Sequence, residues 1–384
     1  MTAVGPLPAV AAGDRSYAIA IMSLPGIGPV RARQLVGAAG CFEAAWSDFA
    51  RSLVAAGIPT AYHPRLLAAR AVTDPDECVA RLKRHAIEAV FAGDESYPGG
   101  FAAMHDPPLV VYIRGELVEA DRLACAIVGT RRASPYGRWV TTKIAAGLAR
   151  AKVTVVSGLA LGIDGAAHAA ALAAGGRSLA VLAGGLDRIY PAEHEPLAAR
   201  IECGGALLSE YFPGSPTLAG NFVARNRLIA ALGLVTLVCE AGRRSGAMLT
   251  ARFAADYGRD VLAVPGRVGD PGSSGVNELI RDGAGLVQST QDVLAALGLA
   301  SAGEGPGERA SAGAQGEDTP MGSALAQTVL MALMRGPRRE DQLLADCQAE
   351  PGRLRAELVL LELRGRIARW PGGLYSLRED RSAR

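Results

Sequence analysis

The apolar and polar positions of this chain change rhythm three times. From residue 14 to 105 the pattern reads as helices joined by loops. From about 106 to 298, short apolar runs alternate with helical stretches. The runs are LACAIVG (123–129), KVTVVSG (152–158), RSLAVLAGG (177–185), GALLSEY (205–211), LVTLVCEA (234–241), DVLAVPG (260–266) and GAGLV (283–287). Near-continuous apolar strands spaced by helices predict a parallel sheet covered on both faces. Residues 299–322, which include SAGEGPGERASAGAQGEDTPMG, have no apolar period and read as a flexible linker. Beyond them, ALAQTVLMALM, REDQLLADC and PGRLRAELVLLELRG predict three helices, and RIARWPGGLYSL a β-hairpin turning at Pro371–Gly373. That is the order of a winged helix, placed at 323–384. The expected architecture is therefore α/β: a doubly wound Rossmann-like sheet (106–298) between an N-terminal helical domain (14–105) and a C-terminal winged helix.

Composition narrows the classes without choosing among them. The 384 residues are 49% hydrophobic, ample for a core, and the formal net charge is only +2. An anion site must then come from local clustering rather than overall charge. Only Lys83, Lys143 and Lys152 are lysines; the other basic residues are arginine, which together with abundant Ala and Gly points to base composition. Six cysteines lie far apart with no metal-ligand spacing, and read as buried thiols of a reducing compartment. The N-terminus lacks a signal pattern and no long uncharged apolar run occurs, so a soluble, cytoplasmic protein with no membrane partner is expected.

A doubly wound sheet places its site in the loops beyond the carboxyl ends of its strands. None of the three lysines follows a glycine, so a Walker A loop is absent, and no GxGxxG occurs. Val155 stands where a nucleophile elbow at Ser157 needs glycine. Asp164 and His168 lie at helical spacing, which suits a local hydrogen bond better than a metal pair. What the loops do carry is arginine and glycine. The first holds Gly129, Thr130, Arg131 and Arg132; the second, SGLALGID, holds Gly158 and Gly162; the third is GGLDRIYP. The fourth is GNFVARNRLIAALG and the fifth AGRRSGAMLTA, with Arg243, Arg244, Ser245, Gly246 and Thr250. Helix N-termini and arginine forks both suit phosphate oxygens. Ser134 and Ser245 either cap helices or donate to phosphate. Within NFVARNRLI, Phe222 beside Arg225, Asn226 and Arg227 suits base stacking with backbone tracking, the recipe for a single strand. Phe222 packing as core, and Asn226 tying loops together, are the plainer alternatives.

These motifs occur in a linked order: IVGTRRASPYG, VVSGLALGIDGAAH, AGGLDRIYP, SEYFPG, NFVARNRLIAALG, AGRRSGAMLTA, GRDVLAVPG and SGVNELIRDGA. In that order they resemble the DNA processing protein A family, also called Smf, over 106–298. The resemblance implies a Rossmann-like domain without enzymatic turnover, cofactor or metal. It further implies a homodimer that binds single-stranded DNA in natural transformation and loads the RecA recombinase onto strands freed of single-strand binding protein. Carried over by motif, Gly129, Thr130, Arg131, Phe222, Arg225, Asn226 and Arg227 form the DNA pocket, with Ser245, Gly246 and Thr250 beside it. Leu218 and Ala219 stand where a lysine is frequent in the family. Two flanking motifs have readings of their own. LPGIGPVRARQLV (24–36) is a helix-hairpin-helix offering Gly26, Gly28, Arg31 and Arg33 to a phosphate, or a packing module of the same shape. The third helix of the winged unit carries Arg353, Arg355 and Arg364 but also Glu357 and Glu362, so it suits protein contact as well as DNA. The competing functions are a phosphoribohydrolase-type enzyme, whose PGGxGT and Glu signature is missing, and a duplex-DNA regulator working through the winged helix alone.

Overall fold

The computed structural model describes residues 10–299 and, with gaps, 324–377. It divides into two compact units, Met1–Ser301 and Ala302–Arg384. The first opens with six helices: α1 (Arg15–Ser23), α2 (Pro29–Ala39), α3 (Phe42–Ser47), α4 (Phe49–Ala55), α5 (His63–Ala71) and α6 (Pro75–Arg84). Helix α6 shows how local sequence sets such an element. Asp74 caps it by accepting from the Asp76 N–H, Pro75 occupies its first position, and Arg81, Lys83 and Arg84 fill its last turn. Each favours the helix through a free terminus or the macrodipole.

Nine strands follow in one sheet. They are β1 (Glu88–Phe91), β2 (Val110–Gly115), β3 (Ala124–Val128), β4 (Thr154–Ser157), β5 (Ser178–Val181), β6 (Gly205–Ser209), β7 (Val235–Val238), β8 (Asp260–Ala263) and β9 (Gly285–Leu286). Their spatial order is β1-β2-β6-β5-β4-β3-β7-β8-β9. From β6 to β9 neighbours are parallel; β1 and β2 add an antiparallel margin. The interleaved helices are α7 (Pro135–Arg150), α8 (Ile163–Ala173), α9 (Glu195–Gly204), α10 (Ala219–Leu232), α11 (Gly246–Asp256), α12 (Ser274–Arg281) and α13 (Thr290–Ala296). Strand order reverses between β3 and β7, as a doubly wound sheet requires.

Alternate residues of each strand serve opposite faces. Cys125 and Ile127 pack with Ile144 and Leu148 of α7, Ala167 of α8 and Val293 of α13. Ala126 and Val128 pack with Leu228 and Ile229 of α10 and Ala251 of α11. A third cluster joins Ile21, Leu35, Leu53 and Leu66 of the N-terminal helices to Tyr112, Leu159, Leu182, Leu207 and Phe212. The helical stretch and the sheet thus share a core, and the boundary expected near residue 105 does not divide the chain. Strand β1 also lies inside the stretch read as helical. It is four residues long, too short for its period to register in the sequence.

The second unit contains α14 (Ala324–Met334), β10 (Arg338–Arg339), α15 (Glu340–Cys347), β11 (Ile367–Trp370) and β12 (Leu374–Leu377). Leu354, Leu358 and Leu361 are helical and buried at the spacing of a third helix. The hairpin β11–β12 gains a third strand from β10. This is the expected winged-helix order. Arg353, Arg355 and Arg364, the linker at 300–322 and the first nine residues lie outside the described residues. The cysteines are all free: Cys78, Cys125 and Cys239 are buried as expected, but Cys41 and Cys347 are only half-buried and Cys203 is exposed. Among the described residues no helix is long and apolar enough to cross a membrane.

Candidate nucleic-acid interface

Where the strand order reverses between β3 and β7, a cavity of about 300 Å³ opens beyond their carboxyl ends. It gathers Gly129 and Arg131 from the first loop, Asp164 from the second, Phe222, Arg225 and Asn226 from α10, and Ser245, Gly246 and Thr250 from the start of α11. Most of the residues singled out from the sequence therefore meet at one place. Their roles differ from one another, and several differ from expectation.

Arg131 is exposed and places its guanidinium 4.5 Å from the centroid of the Phe222 ring. Phe222 is half-buried, and the ring of Tyr190 meets it edge-on at 5.8 Å. Tyr190 is 52% exposed. The three form a platform of two aromatic rings and one planar cation, surfaces on which unpaired bases stack. Nothing in the sequence pointed to Tyr190, which belongs to the third loop and reaches Phe222 only through the fold.

Arg225 lines the same cavity from beneath and is only 3% exposed. Its Nη1 donates to the carbonyls of Gly158 (2.6 Å) and Val181. Burial pushes its pKa down to about 10, and the negative charge of Asp164 partly restores it. A Cβ on Gly158 would fall on this guanidinium. Gly158 thus makes room for an arginine rather than for a phosphate. Gly162, at φ +84°, lets the second loop lie against the Thr130 and Arg131 carbonyls, and Gly129 packs against Ile163 and the Glu240 carbonyl in the same way.

The second loop is held by its own polar groups. Asp164 accepts from the N–H of Gly158 (3.2 Å) and Ala160 (3.3 Å). The Leu159 N–H donates to His168 Nε2 (3.3 Å), so the ring proton sits on Nδ1, 2.7 Å from Ser178 Oγ. Burial drives the His168 pKa down to about 3 and keeps the ring neutral. Asp164 and His168 are local hydrogen-bonding residues, and no metal-ligating cluster occurs among the described residues.

The two helices flanking the switch point differ at their N-termini. At α7, the Glu240 carboxylate accepts from Ser134 N–H (2.9 Å) and Ser134 Oγ (3.1 Å), while Ser134 Oγ accepts from Gly137 N–H. An internal anion already fills the place a nucleotide phosphate would take. Thr130 is spent nearby, donating its N–H to the Glu240 carbonyl and accepting from Arg132 N–H. Helix α11 lacks such a carboxylate plug. Ser245 caps it by accepting from Ala247 N–H, and Gly246 is exposed at the cavity. Asn226 donates to the Gly246 carbonyl (3.2 Å), the loop-tying role that was the plainer alternative. Glu240, missed in the sequence because it ends an apolar strand, decides which helix can meet an anion.

Arg227 does not join the cavity. Two residues on from Arg225, it projects from the far side of α10. There it is buried, donating to Glu210 Oε2 (2.5 Å) and to the Asp106 carbonyl (3.1 Å). Burial works against its charge, but Glu210 and Asp106 outweigh that and hold its pKa above the ordinary arginine value. Of the three arginines expected in the DNA pocket, Arg131 alone is exposed, Arg225 is buried and Arg227 stands outside the cavity. Arg243 lies over a second cavity, of about 400 Å³, where it and Arg281 both pair with Glu278. That pairing cancels much of its charge. Arg132 and Arg244 are exposed and line neither cavity. In the N-terminal turn, Arg31 donates to the Gly26 carbonyl and lies 3.9 Å from the Tyr62 ring centroid; Arg33 donates to Pro29 and Pro107 carbonyls. Both arginines brace the turn.

Residues 88–298 match the family model of DNA recombination-mediator protein A, and residues 312–373 that of the DprA winged helix domain. Protein Smf of Escherichia coli is 40% identical over 75% of this chain and 76% of its own length. The crystal structure of DNA processing protein A from Streptococcus pneumoniae superposes with a TM-score of 0.61 at 32% identity, covering 75% of this chain and 98% of that one. DNA processing protein A from Helicobacter pylori, whose structure was described for its single-stranded DNA binding mode, gives 0.50 at 34% identity over 55% of this chain and 95% of its own.

Proposed function

The chain belongs to the DNA recombination-mediator protein A family, and on that premise we propose that its switch-point cavity binds single-stranded DNA as the first step of recombinase loading. The observation that carries this reading is the platform of Arg131, Phe222 and Tyr190 at the mouth of the cavity, beside the open N-terminus of α11. Stacking surfaces accept any base, the arginine meets the backbone, and no long basic helix reads base edges there. A single strand can splay its bases onto the platform; a duplex keeps them stacked inside.

Turnover has no part in this reading. Of the two carboxylates at the switch point, Asp164 accepts from backbone N–H groups of its own loop and Glu240 from the N–H and hydroxyl of Ser134 in the first loop, which leaves neither placed as a base toward a ribose. The family further supports a homodimer acting in natural transformation, protecting incoming strands, displacing single-strand binding protein and delivering the DNA to RecA recombinase in the cytoplasm. The test is a binding comparison between single-stranded and duplex oligonucleotides of equal length. The account expects tight, sequence-tolerant binding of the single strand. A preference for duplex, or release of free base from nucleoside monophosphates, would overturn it.

A further inference from the structure

We propose that the outer face of α7 is a second single-strand track, continuous with the cavity, in which Trp139 stacks a base and Lys143 meets the backbone; this rests on the single-strand reading of the cavity. Between Asp121 and Asp164 the chain carries no acidic residue, while Arg122, Arg131, Arg132, Arg138, Lys143, Arg150 and Lys152 are all basic. In a molecule of net charge +2 this is a strong local concentration of positive charge. Helix α7 lies inside it. Trp139 and Lys143 follow one another at helical spacing on the side away from the buried stripe of Val140, Ile144 and Leu148, and Tyr136, one turn before Val140, stands at their flank.

The aromatics are not core residues left slightly open. Tyr136 is 48% exposed and Trp139 39% exposed. Their ring centroids are 6.1 Å apart at an interplanar angle of 35°, and Lys143 Nζ lies 5.3 Å from the Trp139 centroid. Tyr136 is further fixed by its hydroxyl, which donates to the Pro265 carbonyl (3.2 Å). The result is a ladder of two rings and an ammonium running roughly 10 Å along the surface from the first turn of α7. Basic charge interleaved with exposed aromatic rings is the pattern of a sequence-tolerant single-strand surface. A polyanion suits the charge of this face; a second copy of the chain would have to bring an acidic patch to it.

The test uses the full chain with two oligonucleotides, one of about five nucleotides to fill the cavity and one of about twenty to reach α7. Trp139→Ala is expected to weaken binding of the long strand about 5- to 150-fold and to leave the short strand unaffected. Lys143→Ala should lower the salt slope for the long strand by about 0.7. Stacking should quench the fluorescence of exposed Trp139, with Trp46 buried and Trp370 in the second unit; Trp139→Phe should keep the affinity and lose most of that quench. Wild-type affinities of Trp139→Ala and Lys143→Ala for the long strand would overturn the track, even if Arg131→Ala or Phe222→Ala loses binding and so sustains the cavity. A change in sedimentation of Trp139→Ala with unchanged DNA affinity would overturn it in favour of a face covered by a second copy. Failure of the wild type to prefer a single strand would overturn both readings.

Discussion

At the scale of single residues, arginines that look alike in the sequence do different work. Arg227 sits buried against Glu210, so Arg227→Ala leaves a carboxylate without its partner. That loss is expected to cost about 3–5 kcal/mol of stability. Arg225→Ala should also destabilise, because it frees the carbonyls of Gly158 and Val181. Denaturant titration checks both, and wild-type midpoints would show that these arginines are not structural. His168 gives a pH signature. Its folded pKa of about 3 lies below its ordinary value, so between about pH 6.5 and 3 the unfolded chain binds the extra proton. Stability should therefore fall as pH falls through that window, by up to about 1.4 kcal/mol per pH unit from this residue. His168→Gln should flatten the slope relative to wild type. An identical pH dependence in the two proteins would contradict the neutral buried ring.

At the scale of elements, the strands were legible because apolar runs bounded by glycine leave few alternatives. All seven expected strands occur, and α14 spans the expected residues. Strands β1 and β2 were not among the expected runs: EAVF is short and follows a helix directly, and VVYIRG belongs to the antiparallel margin, outside the strand–helix alternation. The site was half legible. Loop chemistry showed which segments converge, since the sheet fixes where its strand ends lie. Direction within a helix was the part misjudged: residues 225 and 227 are about 200° apart on a 3.6-residue helix, so they could not both face the cavity. Tyr190 and Glu240 were invisible because each acts on a partner distant in sequence, and Glu240 is further masked by the apolar run it closes. The cap at α7 is testable at this scale. Ser134→Ala removes both the Gly137 contact and one to Glu240, and should cost about 1 kcal/mol. A thermal midpoint equal to wild type would show that Glu240 alone secures the turn.

At the scale of the molecule, the shared core sets the smallest fragment that folds. Cutting at residue 105 would strip the N-terminal helices from Tyr112, Leu182, Leu207 and Phe212 and leave β2 without β1. A fragment of 106–298 is accordingly expected to aggregate or bind dye as a loosened state, whereas one ending at Ser301 should unfold cooperatively. The longer fragment should also keep most single-strand binding, since every residue of the platform lies within it. Loss of binding on removal of 302–384 would move the site to the winged helix.

The central claim is that exposed Arg131 meets the DNA backbone while Phe222 supports a base, and a salt titration of single-strand affinity tests it most directly. Arg131→Ala should lower the slope of log affinity against log salt by about 0.7, the loss of one phosphate contact. Phe222→Ala should cost about 1–3 kcal/mol of affinity with the slope nearly unchanged. Wild-type affinity and slope in both variants would place the DNA elsewhere and contradict the account.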